Sequence, residues 1–336
     1  MDAIEAPVIF ANAMWRSGST YLASRFAQSW RYLLYYELCH EGVGRPAGPR
    51  RTRDRARVAE RRLNHPDIGS GYFDSYDLVD PRTERRLAEL YPFPCAIRDV
   101  YRDAAPATIS YLAACVRVAE ARGRTAFLGF WRAGTQYRSA RDALGGLALH
   151  LWRGPREQWQ SYNWPDNDYF VPGTILQLLL SPRFRLLALS FIGDRLGWVD
   201  RLLAELMPDR LPRIRYRVGR RIAAGLTPAT CYALFYLSWR ICYDDQSSGA
   251  IFSFSLTRLA EDESLRRAVA ERFAIDFPDL RPTPSAYADN LPYDEIEAEV
   301  ERRLAEYRGT AMGATLSSSG PAKVTVNPAA DPAAIV

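Results

Sequence analysis

Blocks of apolar residues alternate with amphipathic stretches along the chain. The first block, residues 8–11, is a continuous run of β-prone apolar side chains, which is typical of a buried parallel strand. In the stretch that follows, Leu22, Phe26 and Trp30 recur every fourth residue, so that a helix would place them on one face. The pattern therefore predicts a strand, a short turn and a helix.

The same alternation continues to the end of the chain. Further β-prone runs occupy residues 31–41, 125–131, 147–153 and 251–256, and helical patterns occupy residues 107–122, 232–243, 264–273 and 293–307. Strands that alternate with helices favour a parallel sheet built from strand–helix–strand units. We predict an α/β fold with a mostly parallel sheet of about five strands, wrapped by helices and carrying helical inserts.

The predicted boundaries are those of one domain. We assign residues 1–308 to this domain and expect a helical insert or cap at about residues 163–245. The last residues, 309–336, are small and polar and contain Pro, so we predict a disordered tail.

The turn after the first strand has the composition of an anion site. Gly18 permits a tight turn, Ser19 and Thr20 are natural helix N-caps, and Arg16 adds a permanent positive charge beside Ser17. Backbone N–H groups and the helix dipole at such a helix start favour negative charge. We predict a phosphate-binding loop, although similar turns also occur with no ligand.

The loop differs from that of nucleoside triphosphatases. Their pattern has a Gly at the position of Ala13 and a Lys at the position of Ser19. The only lysine of this chain is Lys323, close to its end. Hydrolysis of a nucleoside triphosphate is therefore not expected.

Polar residues also follow three other predicted strands. Glu37 and His40 end the second run, Arg132 follows the third, and Arg153 follows the fourth, with Ser161 eight residues further on in a helix. Ligands of parallel sheets gather at the carboxyl ends of the strands, so these side chains are candidates for one site. Purely structural roles remain open: Glu37 could cap a helix or pair with an arginine, and Arg132 could cap its strand.

Composition narrows the classes of function. The net charge of +5 comes almost entirely from arginine, which is spread along the chain, and no nucleic-acid-binding motif accompanies it. The five cysteines form no C-x-x-C pair, which indicates reduced thiols, and no cluster of His, Cys and carboxylates suggests a metal. No apolar run reaches membrane-spanning length and no signal peptide is evident, so we expect a cytoplasmic protein without a nucleic-acid partner.

Two of the motifs resemble those of sulfotransferases that use 3′-phosphoadenosine 5′-phosphosulfate. Arg-Ser-Gly-Ser-Thr at residues 16–20 resembles their 5′-phosphosulfate loop, in which bacterial members often carry Arg for Lys; Trp15 stands where a Pro is common. The apolar strand before Arg153-Gly-Pro-Arg, with Ser161 after it, resembles their 3′-phosphate motif, with Gly154 in place of Asp or Asn.

A third segment is similar to bacterial and carbohydrate sulfotransferases. Tyr-Tyr-Glu-Leu-Cys-His-Glu at residues 35–41 resembles their Tyr-Tyr-Glu-Pro-Leu-His/Asn-Glu, with Leu38 and Cys39 in place of Pro-Leu. The resemblance covers residues 8 to about 280, and it is specific only at the two phosphate motifs.

The resemblance implies a P-loop-like fold and a sulfotransferase. Such an enzyme would move a sulfuryl group from 3′-phosphoadenosine 5′-phosphosulfate to a hydroxyl, releasing adenosine 3′,5′-bisphosphate without a metal. The acceptor would be a carbohydrate, such as a cell-surface or capsular glycan or a glycosylated metabolite. The resemblance implies residues 16–20, Arg153 and Ser161 for the donor, Glu37 as the base with His40 as the alternative, and Arg16 for the developing charge. We further expect Arg132, Trp164 and Tyr169 at the acceptor.

Two other functions remain open. A protein of the same fold could bind a nucleotide or a glycan without turnover. A nucleotide kinase shares the fold, but it would need the missing Lys and a magnesium-binding acid. The acceptor and the oligomeric state are not predicted.

Overall fold

The computed structural model describes residues 8–44, 73–132, 134–163, 169–193, 212–278, 280 and 289–310. Within these ranges the chain forms one five-stranded sheet in the order β2-β3-β1-β4-β5, and every neighbouring pair of strands is parallel. The predicted α/β fold is therefore confirmed. The strands are Val8–Ala13 (β1), Tyr32–Tyr35 (β2), Thr125–Phe130 (β3), Leu147–Trp152 (β4) and Phe252–Ser255 (β5).

Helices flank both faces of this sheet. Two short 3₁₀ turns, Asp74–Asp77 and Phe93–Ala96, precede the longer helices of one face. The α-helices are Ser19–Ala27 (α1), Leu87–Leu90 (α2), Pro106–Glu120 (α3), Gln136–Leu144 (α4), Pro155–Tyr162 (α5), Phe170–Leu180 (α6), Arg185–Ile192 (α7), Pro212–Ala224 (α8), Pro228–Ser247 (α9), Leu256–Glu261 (α10), Glu263–Phe273 (α11) and Tyr293–Gly309 (α12).

The central strand β1 shows why the pattern of apolar residues gives this fold. All six of its residues are buried, because helices cover both faces of the sheet and strands pair with both of its edges. Phe10 packs on one face, with side chains of α3 and α4. Ile9 and Ala11 pack on the other, with side chains of α1 and α11.

A separate apolar cluster joins the helices between β4 and β5. It contains buried side chains of α5 to α9 and of α12, including Trp159, Leu178 and Phe235. Helices α6, α7, α8 and most of α9 fall within the segment 163–245 that we predicted as a helical insert. Residues 311–336 of the predicted tail lie outside the described residues, so the division into domain and tail stays a prediction.

Trp30 departs from the sequence-based expectation. Leu22 and Phe26 are fully buried on α1 as predicted, but the helix ends at Ala27 and Trp30 is 73% exposed. The spacing of four residues correctly predicted the buried face of the helix, but the prediction that Trp30 shares this face was wrong because the helix ends before it.

No helix among the described residues is both long enough and apolar enough to cross a membrane.

Candidate functional site

The predicted site residues lie along one edge of the sheet. Strand β1 lies between β3 and β4, so the segments that follow these three strands are neighbours at their carboxyl ends. Those segments carry Arg132, Arg16 and Arg153. Glu37 follows β2 at the same edge, one strand beyond β3.

The loop after β1 has two residues in the left-handed region. Arg16 has φ 64° and Gly18 has φ 94°, a conformation that is costly for a residue with a Cβ. A Cβ on Gly18 would also lie 2.2 Å from Cδ1 of Leu256, at the start of α10. The Ser17 hydroxyl donates to the Met14 carbonyl (2.7 Å) and closes the turn.

The start of α1 leaves several donors available. Gly18, rather than Ser19 or Thr20, occupies the N-cap position, so that part of our expectation was wrong. The Thr20 hydroxyl is buried and shares a 2.8 Å hydrogen bond with the Tyr36 hydroxyl. The backbone N–H groups of Gly18, Ser19 and Thr20 have no acceptor among the described residues. They form the kind of donor array that binds anions at helix starts.

The two predicted phosphate motifs contact each other. Nε of Arg16 donates to the Ser161 hydroxyl at 2.9 Å, which joins the loop after β1 to helix α5. NH1 of Arg153 lies 3.4 Å from the Arg16 carbonyl, and its Nε lies 3.5 Å from Glu157. Residues 145 positions apart in sequence are thus direct neighbours at this edge.

The environment of Arg16 favours a negative ligand. Burial lowers the pKa of its guanidinium, and the positive charge of Arg153 lowers this pKa further. Three nearby phenols, those of Tyr169, Tyr162 and Tyr36, raise this pKa, but the net effect of all these groups is still a lowered pKa. A bound anion would stabilise the buried charge. Tyr169, which we predicted at the acceptor, is therefore electrostatically close to the loop arginine.

Arg132 has the opposite environment. Its Nε donates to Oε2 of Glu37 (2.9 Å) and its NH1 donates to Oε2 of Glu41 (3.0 Å). Burial on its own lowers the pKa of Arg132, but the two carboxylates outweigh burial and raise this pKa. The guanidinium also lies 5.1 Å from the ring of Trp15, in a cation–π contact. Arg132 thus holds Glu37 beside the loop.

Glu37 follows β2 in a left-handed conformation with φ 52°. Its side chain is 18% exposed, and Oε2 is bound to Arg132. Its Oε1 has no hydrogen-bond partner among the described residues. The carboxylate therefore retains one oxygen that can take a proton.

His40 is less suited to act as a base. Its Nδ1 accepts a hydrogen bond from the Gly42 N–H at 2.8 Å, so the neutral ring carries its proton on Nε2. That Nε2 lies 3.7 Å from Glu37, and the ring packs 5.1 Å from Phe73. In this tautomer no ring lone pair is left for a substrate proton.

Sequence reasoning missed three residues of this edge. Glu41 shares Arg132 with Glu37, Trp15 supports Arg132, and Tyr36 holds Thr20. Glu41 and Tyr36 belong to the motif at residues 35–41, so this motif could have identified them as site residues. Trp164, which we predicted at the acceptor, lies outside the described residues.

Among the residues that the structure describes, no group of three or more His, Cys, Asp or Glu side chains is placed to hold a metal ion. No protein-family model, curated protein or solved structure matches this chain.

Proposed function

We propose that this protein is a sulfotransferase that moves a sulfuryl group from 3′-phosphoadenosine 5′-phosphosulfate to a hydroxyl of a carbohydrate. The proposal depends most on the 2.9 Å contact between Arg16 and Ser161, because it brings together the two motifs that resemble the 5′- and 3′-phosphate sites of that family. A donor with phosphates at both ends of one ribose needs two such sites close together.

The residues at this edge fit such a donor. Arg16 is a buried cation whose pKa is lowered, and three N–H groups at the start of α1 have no acceptor among the described residues. Gly18 leaves the backbone open where a side chain would collide with Leu256. Arginine and backbone N–H groups are the donors that proteins use most for phosphate.

The transfer requires positioning, charge stabilisation and one proton acceptor. The acceptor oxygen would bond to sulfur while the bond from sulfur to the 5′-phosphate oxygen breaks, and that oxygen would keep the electron pair. Arg16 and the loop N–H groups stabilise negative charge at this position. Glu37 takes the hydroxyl proton through Oε1, while Arg132 fixes its other oxygen.

A thermal-shift comparison tests the proposed donor class. In the presence of EDTA, adenosine 3′,5′-bisphosphate should raise the unfolding temperature clearly more than AMP or ATP at the same concentration. An Arg16→Ala variant should lose most of this shift. A larger shift with ATP and magnesium than with the bisphosphate would favour the nucleotide kinase instead.

A further inference from the structure

Helix α5 bonds to the phosphate loop at two successive residues. Ser161 accepts from Nε of Arg16, and Gln158 donates from Nε2 to the carbonyl oxygen of Trp15 at 2.5 Å. Gln158 lies three residues before Ser161 on this helix, so the two side chains are neighbours on one face. The sequence motifs singled out Arg16 and Ser161, but they gave no role to Gln158.

The hydrogen bond from Gln158 is buried. The side chain of Gln158 is 1% exposed, and Trp15, whose carbonyl accepts the bond, is 8% exposed. A buried carbonyl that loses its donor is costly, because water does not reach it to take the place of the donor. The bond therefore favours the present orientation of the Trp15 carbonyl over any other.

This orientation matters because the carbonyl belongs to the peptide unit that precedes Arg16. The way this unit is turned sets the φ angle of Arg16, which is 64°. A residue other than glycine keeps a positive φ only where the surrounding contacts determine it. Rotation of the unit would return φ to the common negative range, but it would take the carbonyl away from Gln158.

The peptide unit after Arg16 is contacted from the same part of the chain. NH1 of Arg153, at the end of β4, lies 3.4 Å from the Arg16 carbonyl. Arg153 and Gln158 thus contact the peptide units on the two sides of Arg16. Ser161 contacts the guanidinium. The segment that resembles the 3′-phosphate motif therefore determines the conformation of the arginine in the 5′-phosphosulfate loop.

We propose that Gln158 is a positioning residue for the donor: it holds the Trp15–Arg16 peptide unit in the orientation that keeps the Arg16 side chain in the phosphate site. Gln158 acts through Arg16 and does not itself bind the donor. This inference rests on the proposed sulfotransferase function, and it adds a residue to the machinery that binds the 5′-phosphosulfate end.

Gln158→Met tests the proposal, because methionine has nearly the length of glutamine but no donor. Calorimetric titration of the full chain in EDTA should show both AMP and adenosine 3′,5′-bisphosphate bound about threefold to tenfold less tightly, the usual effect of one lost hydrogen bond. Both ligands are affected because both carry the 5′-phosphate. Gln158→Asn, which keeps the amide but withdraws it from the Trp15 carbonyl, should weaken both ligands in the same way.

Gln136→Met is the matched control. Gln136 is fully buried, and its Nε2 also donates to a backbone carbonyl, that of Cys95 at 3.0 Å. This bond joins α4 to the second 3₁₀ turn and does not involve the phosphate loop. Gln136→Met and Gln158→Met should lose similar stability in urea unfolding, but Gln136→Met should bind both ligands as tightly as the wild-type protein.

A double-mutant cycle with Arg16→Ala tests whether Gln158 acts through Arg16. Two residues that act through one another give effects that are not additive. Gln158→Met should therefore weaken the bisphosphate in the wild-type background and have little further effect in the Arg16→Ala background.

The outcomes separate this inference from the proposed function. If the wild-type protein does not bind the bisphosphate, both fail. If it does bind, and Gln158→Met and Gln158→Asn bind the bisphosphate equally well, only the inference fails. The same loss of affinity in Gln136→Met, or in the Arg16→Ala background, would also overturn the inference. So would a failure of both Gln158 variants to fold while Gln136→Met folds, because Gln158 would then serve the fold as a whole.

Discussion

Two arginines at neighbouring strand ends differ in what surrounds them. Burial and the charge of Arg153 lower the pKa of Arg16, whereas Glu37 and Glu41 raise the pKa of Arg132 against the effect of burial. Arg132 is thus held by two carboxylates, whereas Arg16 lies close to the second positive charge of Arg153. In our account Arg16 binds the donor and Arg132 positions Glu37.

The loop glycine gives the first prediction. Gly18→Ala should destabilise the loop because alanine at φ 94° is strained and because its Cβ would lie 2.2 Å from Leu256. Left-handed strain alone costs about 1–2 kcal/mol. Gly123→Ala is the matched control, since Gly123 has φ 64° in the turn after α3 and nothing within 4 Å of the added Cβ.

Urea unfolding and calorimetry measure the two effects. Gly123→Ala should lose only the strain energy and should still bind adenosine 3′,5′-bisphosphate. Gly18→Ala should lose more stability and bind the bisphosphate less tightly. Equal losses of stability and unchanged binding in both variants would contradict the role that we give the loop.

The base gives the second prediction. Glu37→Gln should lower turnover by about 10²–10⁴, the usual contribution of general-base catalysis, and leave donor affinity unchanged. Glu41→Gln is the matched control, because Glu41 accepts a hydrogen bond from the same guanidinium but is not the residue that we propose as the base. It should lower turnover less, and so should His40→Ala, because Nδ1 of His40 already accepts from Gly42.

Initial rates with a true acceptor, or slow donor hydrolysis until one is found, measure these effects. If Glu37→Gln turns over at the wild-type rate while His40→Ala is inactive, the two roles are reversed. If both variants remain fully active, the base is a different residue.

At the scale of the elements, the apolar pattern predicted the strands and helices well. The predicted strand at 125–131 is β3, and the helix at 293–307 is α12, each within two residues. Continuous apolar runs and 3.6-residue periodicity arise from burial, which is why they can be read from sequence. The second run, at 31–41, was wrong in extent, because β2 ends at Tyr35 and the chain then turns through Glu37.

The contacts within the site could not be predicted in the same way. Strand ends place Arg132 and Glu37 at the same edge, but their ion pair joins residues 95 positions apart. Glu37 lies in a turn with φ 52° and its carboxylate accepts from Arg132, and a non-glycine residue with positive φ leaves no clear sequence signal.

A buried ion pair fixes the segment after the first 3₁₀ turn to helix α3. The carboxylate of Asp80 is fully buried and accepts two hydrogen bonds from Arg117, at 2.9 and 2.8 Å. Asp80→Asn would leave the guanidinium without its charge partner, so we expect a clear loss of stability in urea unfolding. Glu89→Gln is the control, since the exposed pair of Glu89 with Arg86 should contribute little.

For the whole molecule, the same pair predicts a dependence of stability on pH. The hydrogen bonds from Arg117 lower the pKa of Asp80 to about 2, below its usual value near 4. A lowered carboxyl pKa stabilises the fold above about pH 4, and this contribution of about 2 kcal/mol is lost as the pH falls through about 2. The difference in unfolding free energy between wild type and Asp80→Asn should therefore shrink between pH 5 and pH 2. A difference that stays constant over this range would contradict the lowered pKa of Asp80.

The central claim is that the motifs after β1 and β4 form one site for a nucleotide with both a 5′- and a 3′-phosphate. Calorimetric titration in EDTA with adenosine 3′,5′-bisphosphate and with AMP tests it most directly, because the two ligands differ only in the 3′-phosphate. We predict that the bisphosphate binds about tenfold to a hundredfold more tightly, the usual effect of charge-assisted phosphate contacts. Arg153→Ala should reduce this preference, whereas Arg16→Ala should weaken both ligands. Equal affinities for the bisphosphate and AMP in the wild-type protein would contradict the claim.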